Sequence, residues 1–177
     1  MRQVNMAICS LTHAHVRKYY QTLHDNAKLN WVAVSCADRA IADHFKTLGY
    51  GVPVYESTEE MLRAHPEIEG VVVASENSRH FEDMALCCKY GKDMLSMKVP
   101  TFDLAEYDRM IELVEKAGVL CQVELEMHYN PTARRALELA QSGAIGELVS
   151  FNATNITLSP VWAFPWQGVP EKSYGRR

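Results

Sequence analysis

The chain has 177 residues, 47% of them hydrophobic, and a formal charge of −4 at pH 7: material for one buried domain and part of another. The acidic balance argues against a nucleic-acid partner, which needs a basic face. No apolar run is long enough to span a bilayer. Met1-Arg2-Gln3-Val4-Asn5 lacks the apolar stretch of a signal peptide. Five cysteines without a C-x-x-C pair read as small core residues in a reducing, cytoplasmic compartment.

Short apolar runs alternate with amphipathic stretches. Val4–Cys9 predicts a strand and His13–Leu23 a helix. Trp31–Cys36 predicts a second strand, with a helix from Asp38 to Leu48 stopped by Gly49, then a short strand Val52–Tyr55. Ser57-Thr58-Glu59-Glu60 has the spacing of a capping box and opens a helix through Ala64. Gly70–Ser75 is apolar on both faces, as a central parallel strand must be. A helix from Arg79 to Tyr90, a strand Asp93–Met97, a helix capped by Asp103 and ended by Gly118, and a strand Val119–Val123 follow. Pro131–Gln141 predicts a helix, with proline at its start and Gly143 beyond its end. Glu147–Leu158 alternates like a long half-buried strand, and Ser159–Arg177 shows no period and reads as an irregular loop.

Strand–helix–strand repetition of this kind predicts an α/β fold with a doubly wound, Rossmann-type parallel sheet. The pattern changes late in the chain. We therefore expect a Rossmann-type domain over residues 1–123 and the beginning of a second α/β domain over 124–177.

In such a sheet ligands lie at the carboxyl ends of the strands, so the residues just after each strand are the candidates. The first turn is Ser10-Leu11-Thr12-His13-Ala14-His15. Ser10, Thr12 and His15 stand where a dinucleotide fingerprint has glycine, whose missing β-carbon lets backbone approach the pyrophosphate. The turn is as consistent with a plain strand-to-helix connection capped by Thr12. His13 and His15, two apart, do not share a helix face, and metal binding is not expected. After the second strand come Cys36, Asp38 and Arg39. An acid here would hold the ribose 2′-hydroxyl of NAD, and an arginine the 2′-phosphate of NADP, but Asp38 is equally a helix cap. After the fourth strand come Ser75, Glu76, Asn77 and His80. After the fifth come Met97 and Lys98, where a lysine can polarise a hydroxyl or carbonyl and relay its proton.

These segments in this order resemble the glucose–fructose oxidoreductase and inositol dehydrogenase family (Gfo/Idh/MocA). That family's Ala-Thr-Pro-x-x-x-His is matched by Ala74-Ser75-Glu76-Asn77-Ser78-Arg79-His80. Its Gly-Lys-x-Val-Leu-x-Glu-Lys-Pro is matched by Gly91-Lys92-Asp93-Met94-Leu95-Ser96-Met97-Lys98-Val99-Pro100. Its Arg-Phe-x-Pro becomes His128-Tyr129-Asn130-Pro131, and its Gly-x-Ile-Gly-Glu is intact at Gly143–Glu147. The resemblance implies NAD or NADP as cofactor and hydride transfer to or from a sugar, cyclitol or related polyol. It implies Lys98 as the catalytic lysine and His128 at the substrate edge. Ser10, Leu11, Thr12, His13, His15, Cys36, Asp38, Arg39, Ser75, Glu76, Asn77, His80 and Met97 would line the cofactor cleft. The chain's departures from the family include the absent fingerprint glycines, Met97 in place of glutamate, and Val99 inserted before the proline. The family's second catalytic Asp/His element does not occur before Arg177, so the chain is expected to be an N-terminal portion. Its long last strand is expected to promote homo-oligomers through the second sheet. Two alternatives stay open: a binding or assembly domain with a decayed cofactor site, or an enzyme that recycles a tightly held NAD for isomerisation or glycoside cleavage.

Overall fold

The computed structural model describes residues 2–154 and 165–173. These fall into two compact units, one formed by residues 2–123 with 165–173 and the other by residues 124–154.

The first unit is built on β1 (Val4–Cys9), β2 (Leu29–Ser35), β3 (Val54–Tyr55), β4 (Gly70–Val73), β5 (Asp93–Ser96) and β6 (Cys121–Val123). They form one sheet in the order β3-β2-β1-β4-β5-β6, with every pairing parallel. This is the doubly wound order, whose direction reverses between β1 and β4. Pairing in register sets Cys9 beside Ser35 and Val73, and Val73 beside Ser96. The carboxyl ends of the four central strands therefore lie level, with the first and fourth turns side by side at the reversal.

Alternation along the strands feeds two cores. Ala7, Cys9, Val71 and Val73 pack with Met61, Leu62, Met84, Cys87 and Met110 from α3 (Thr58–Ala64), α4 (His80–Lys89) and α5 (Leu104–Ala117). Ile8, Val34, Val72 and Ala74 point the other way, against Val16, Tyr20, Leu23, Ala42 and Phe45, mostly from α1 (Arg17–Asp25) and α2 (Arg39–Thr47). On that side Tyr20, Trp31, Phe45 and Tyr50 form an aromatic cluster with ring centroids 5.1 Å (Tyr20–Phe45) to 5.9 Å (Tyr20–Trp31) apart. Gly70 leaves room for the Met6 side chain, whose sulfur would lie 2.7 Å from a β-carbon placed there.

Local chemistry sets the helix ends. Asp38 accepts from the Ile41 N–H, Ser57 from Glu60, and Asp103 from both Ala105 and Glu106, each satisfying a first-turn donor with no intrahelical partner. Gly118, at φ 65°, closes α5 in the left-handed conformation.

Besides shorter β3 and β6 strands and a 3-10 turn, Ala14–Val16, ahead of α1, the structure departs from the expected elements as follows. β2 begins at Leu29, not Trp31, because Asn30 is held in the strand by an amide hydrogen bond to Asn5 at 2.8 Å. The strand expected over Glu147–Leu158 does not form over residues 147–154, which have no regular structure and are exposed; a strand needs a paired neighbour, and none lies beside them among the described residues. Residues 155–158 of that strand lie outside the described residues. The tail read as an irregular loop instead contains two short helical turns, Pro165–Gly168 and α7 (Pro170–Ser173), too brief to show a period; proline at the first helical position suits the latter. In the second unit a 3-10 turn, Glu126–Tyr129, precedes α6 (Pro131–Gln141), capped by Asn130 and without a buried side chain.

Candidate functional site

The first turn keeps the backbone shape of a glycine turn without the glycine. Among the described residues Ser10 is the non-glycine residue at positive φ, 65°, a conformation that costs an L-residue roughly 1–2 kcal/mol. Its hydroxyl lies 3.0 Å from the Thr12 hydroxyl. The N–H groups of the turn are taken up largely by the chain itself. Ser10 N–H donates to the Ser35 hydroxyl (3.3 Å), Thr12 N–H to the Ser10 hydroxyl (3.4 Å), His13 N–H to the Ala74 carbonyl (2.9 Å) and His15 N–H to His13 Nδ1 (3.1 Å). The Thr12 hydroxyl donates to the Glu76 carboxylate at 3.1 Å.

His13 is buried, and burial, followed by the nearby His80, His15 and Lys98, lowers its pKa from 6.5 to about 3. The imidazole is therefore neutral at physiological pH, as its acceptor role toward His15 requires. Its ring centroid lies 5.0 Å from that of His15 and 6.0 Å from that of His80.

After β4, Ser75 is almost fully buried, and its hydroxyl and the Asn77 amide oxygen have no hydrogen-bond partner. Unsatisfied buried polar atoms are costly and call for an explanation. His80 is wholly buried. Its Nε2 lies 2.9 Å from the Ser75 carbonyl and its Nδ1 2.7 Å from the Val99 carbonyl. Burial pulls its pKa down while the two carbonyls push it up. A neutral ring donates to one of these carbonyls, so His80 stands packed between the turn that follows Lys98 and the turn that follows β4, and Lys98 is left exposed at the rim.

Other sequence candidates land elsewhere. The Leu11, Cys36 and Met97 side chains are buried in the core on the α1/α2 side, so a cofactor could meet these residues only through backbone. Asp38 is committed to capping α2, and Arg39 is exposed, 4.0 Å from Asp43. His128 is exposed in the second unit.

Sequence reading missed a buried polar network behind the first turn. The Thr58 hydroxyl lies 2.9 Å from the Cys9 sulfur and 3.1 Å from the Ser35 hydroxyl, and donates to Asp83 at 3.2 Å. A polar residue at the end of an apolar strand, Ser35, and an acid inside an apolar helix, Asp83, were the available signals. The network makes no nucleophile: burial, then Asp83, pushes the Cys9 thiol well up, and burial does the same at Cys36, Cys87, Cys88 and Cys121, where reactive cysteines need the reverse. Lys172 on α7 was also missed; its ammonium lies 4.0 Å from Glu76.

Strand order, the level carboxyl ends and the polar side chains gathered at the reversal are those of the doubly wound, dinucleotide-binding class. Residues 5–125 match the oxidoreductase family with an NAD-binding Rossmann fold, Gfo/Idh/MocA, and the chain belongs to that family. It is 28% identical over 93 residues to myo-inositol 2-dehydrogenase of Thermotoga maritima, covering 52% of this chain and 28% of that protein. It is 28% identical over 166 residues to an uncharacterised oxidoreductase of Rhizobium meliloti, covering 90% and 48% respectively. Myo-inositol 2-dehydrogenase of Lactobacillus plantarum superposes with a TM-score of 0.75 at 19% identity over 82% of this chain and 43% of that one. The chain thus spans less than half the length of each of these relatives. No helix among the described residues is long and apolar enough to cross a membrane.

Proposed function

We propose that this chain is the nucleotide-binding part of an NAD(P)-dependent oxidoreductase acting on a hydroxyl-bearing carbon of a sugar, cyclitol or related polyol. The observation that carries the reading is the pair of partnerless polar atoms, Ser75 Oγ and Asn77 Oδ1, buried at the carboxyl end of β4. They sit at the strand-order reversal, where a doubly wound sheet takes its ligand, and a ribose or carboxamide would satisfy them. The substrate class is supported by inositol dehydrogenases among the relatives, including scyllo-inositol dehydrogenase of Lactobacillus casei with bound NAD(H) and scyllo-inositol.

Each group has a distinct task in this reading. Ser75 and Asn77 would hold the nicotinamide side of the dinucleotide. His80 acts on Lys98 indirectly, by fixing the turn after it. The exposed Lys98 would hydrogen-bond the substrate oxygen and take up or return its proton. When bound, the nicotinamide supplies the hydride chemistry that no side chain here offers.

Fluorescence titration with NADH and NADPH is the direct test, and saturable micromolar binding is expected. In the full-length enzyme, Lys98→Met should abolish turnover and keep that binding; wild-type turnover in the variant would remove Lys98 from the mechanism. Absence of binding by either nucleotide would favour the second reading, an assembly domain with a lost cofactor site. The self-satisfied N–H groups of the first turn are the observation on its side.

A further inference from the structure

We propose that Glu76 is an affinity-determining residue, a built-in carboxylate that competes with the pyrophosphate of a dinucleotide for the first βα turn. This rests on the reading of the cleft as a nucleotide site. In a doubly wound sheet the pyrophosphate lies against that turn, drawn by its donors. Here the Thr12 hydroxyl in the middle of the turn already donates to the Glu76 carboxylate. The Glu76 side chain is only 13% exposed, so its charge is held inside the cleft and not out in solvent. Lys172 approaches the other carboxylate oxygen at 4.0 Å, with its own side chain about half exposed, and such a contact offsets little of the charge.

The consequence is electrostatic and local. A dinucleotide brings two negative charges to the turn, and Glu76 must leave Thr12 or remain beside them. Either course weakens binding, and neither affects the partnerless atoms at Ser75 and Asn77 that favour it. The glycine-free turn and Glu76 thus belong together: the residues that keep phosphate out of close backbone contact also give the turn's hydroxyl an internal partner.

The test is NADH and NADPH titration of the wild-type chain, Glu76→Gln and Glu76→Ala, with circular dichroism to verify folding. Glutamine keeps the shape and removes the charge; alanine removes both. Two phosphate charges freed from a carboxylate a few ångströms away correspond to about a tenfold fall in dissociation constant at the dielectric of water. Tighter binding by both variants, or binding that appears only in them, supports the proposal. Equal affinity in wild type and both variants overturns it and leaves the oxidoreductase reading in place. If all three fail to bind either nucleotide, that reading falls and this inference falls with it.

Discussion

His13 shows how one side chain couples the turn to pH. Its pKa falls from 6.5 to about 3 in the folded protein, so below about pH 6.5 the unfolded chain takes up a proton that the native state refuses. Stability present above that pH is therefore lost as the pH drops toward 3. From about pH 8 to about pH 5 the loss from this residue is about 2 kcal/mol, and His80, shifted the same way by burial, adds to it. Urea denaturation at the two pH values should show the loss. His13→Asn keeps a capping acceptor for the His15 N–H and removes the titrating ring, so it should recover about 2 kcal/mol of the difference. An acid limb as steep as in wild type would mean that His13 is solvated. Part of this site was legible without coordinates, because residues that follow parallel strands converge at one edge: Ser10, Thr12, Ser75, Glu76, Asn77, His80 and Lys98 could all be named from position. Their pairing could not. Thr12 and Glu76 are 64 residues apart, and only the parallel register of β1 with β4 brings them together. Glu76 also stands where the family pattern has proline, a departure whose meaning depends on that contact.

The elements themselves were read more easily, since helix caps and apolar periods are local. Asp103 is the clearest case, with one carboxylate oxygen accepting from two backbone N–H groups, at 2.8 Å from Ala105 and 3.0 Å from Glu106. Asp103→Ala leaves both donors to water and should lower stability by about 1 kcal/mol. The denaturation midpoint reads this out, and an unchanged value would show that α5 is held by Met110 and its neighbours alone. For β2 and for residues 147–154 the cause of the failure was non-local. Asn30 hides the start of β2 because its amide partner lies on β1. Residues 147–154 alternate like a strand yet remain irregular and exposed, since alternation specifies which face a strand would bury and cannot supply the neighbour it must pair with.

At the scale of the molecule, the two units differ in how they dispose of apolar surface. The first buries a core on each face of its sheet, with Phe102, Leu104 and Leu120 left more than half exposed. In the second, α6 buries no side chain, and Leu137, Ile145, Leu148, Val149 and Phe151 are all more than half exposed, Val149 reaching 91%. Several large apolar groups exposed along one short segment are unusual on a monomer and mark surface that associates. A second copy of this chain would bury them, and each large side chain so buried would contribute about 1.5–3 kcal/mol. Sedimentation velocity should therefore show a concentration-dependent shift above the monomer coefficient. Leu148→Lys with Phe151→Lys should return the chain to monomer without altering nucleotide affinity, because both residues lie in the second unit while Ser75, Asn77 and Glu76 lie in the first. A wild-type chain that stays monomeric at high concentration would show that the second unit covers these groups itself. Dimers that persist in the double lysine variant would move the interface to the first unit, where Phe102, Leu104, Tyr107, Ile111 and Leu120 are exposed around α5 and the edge strand β6.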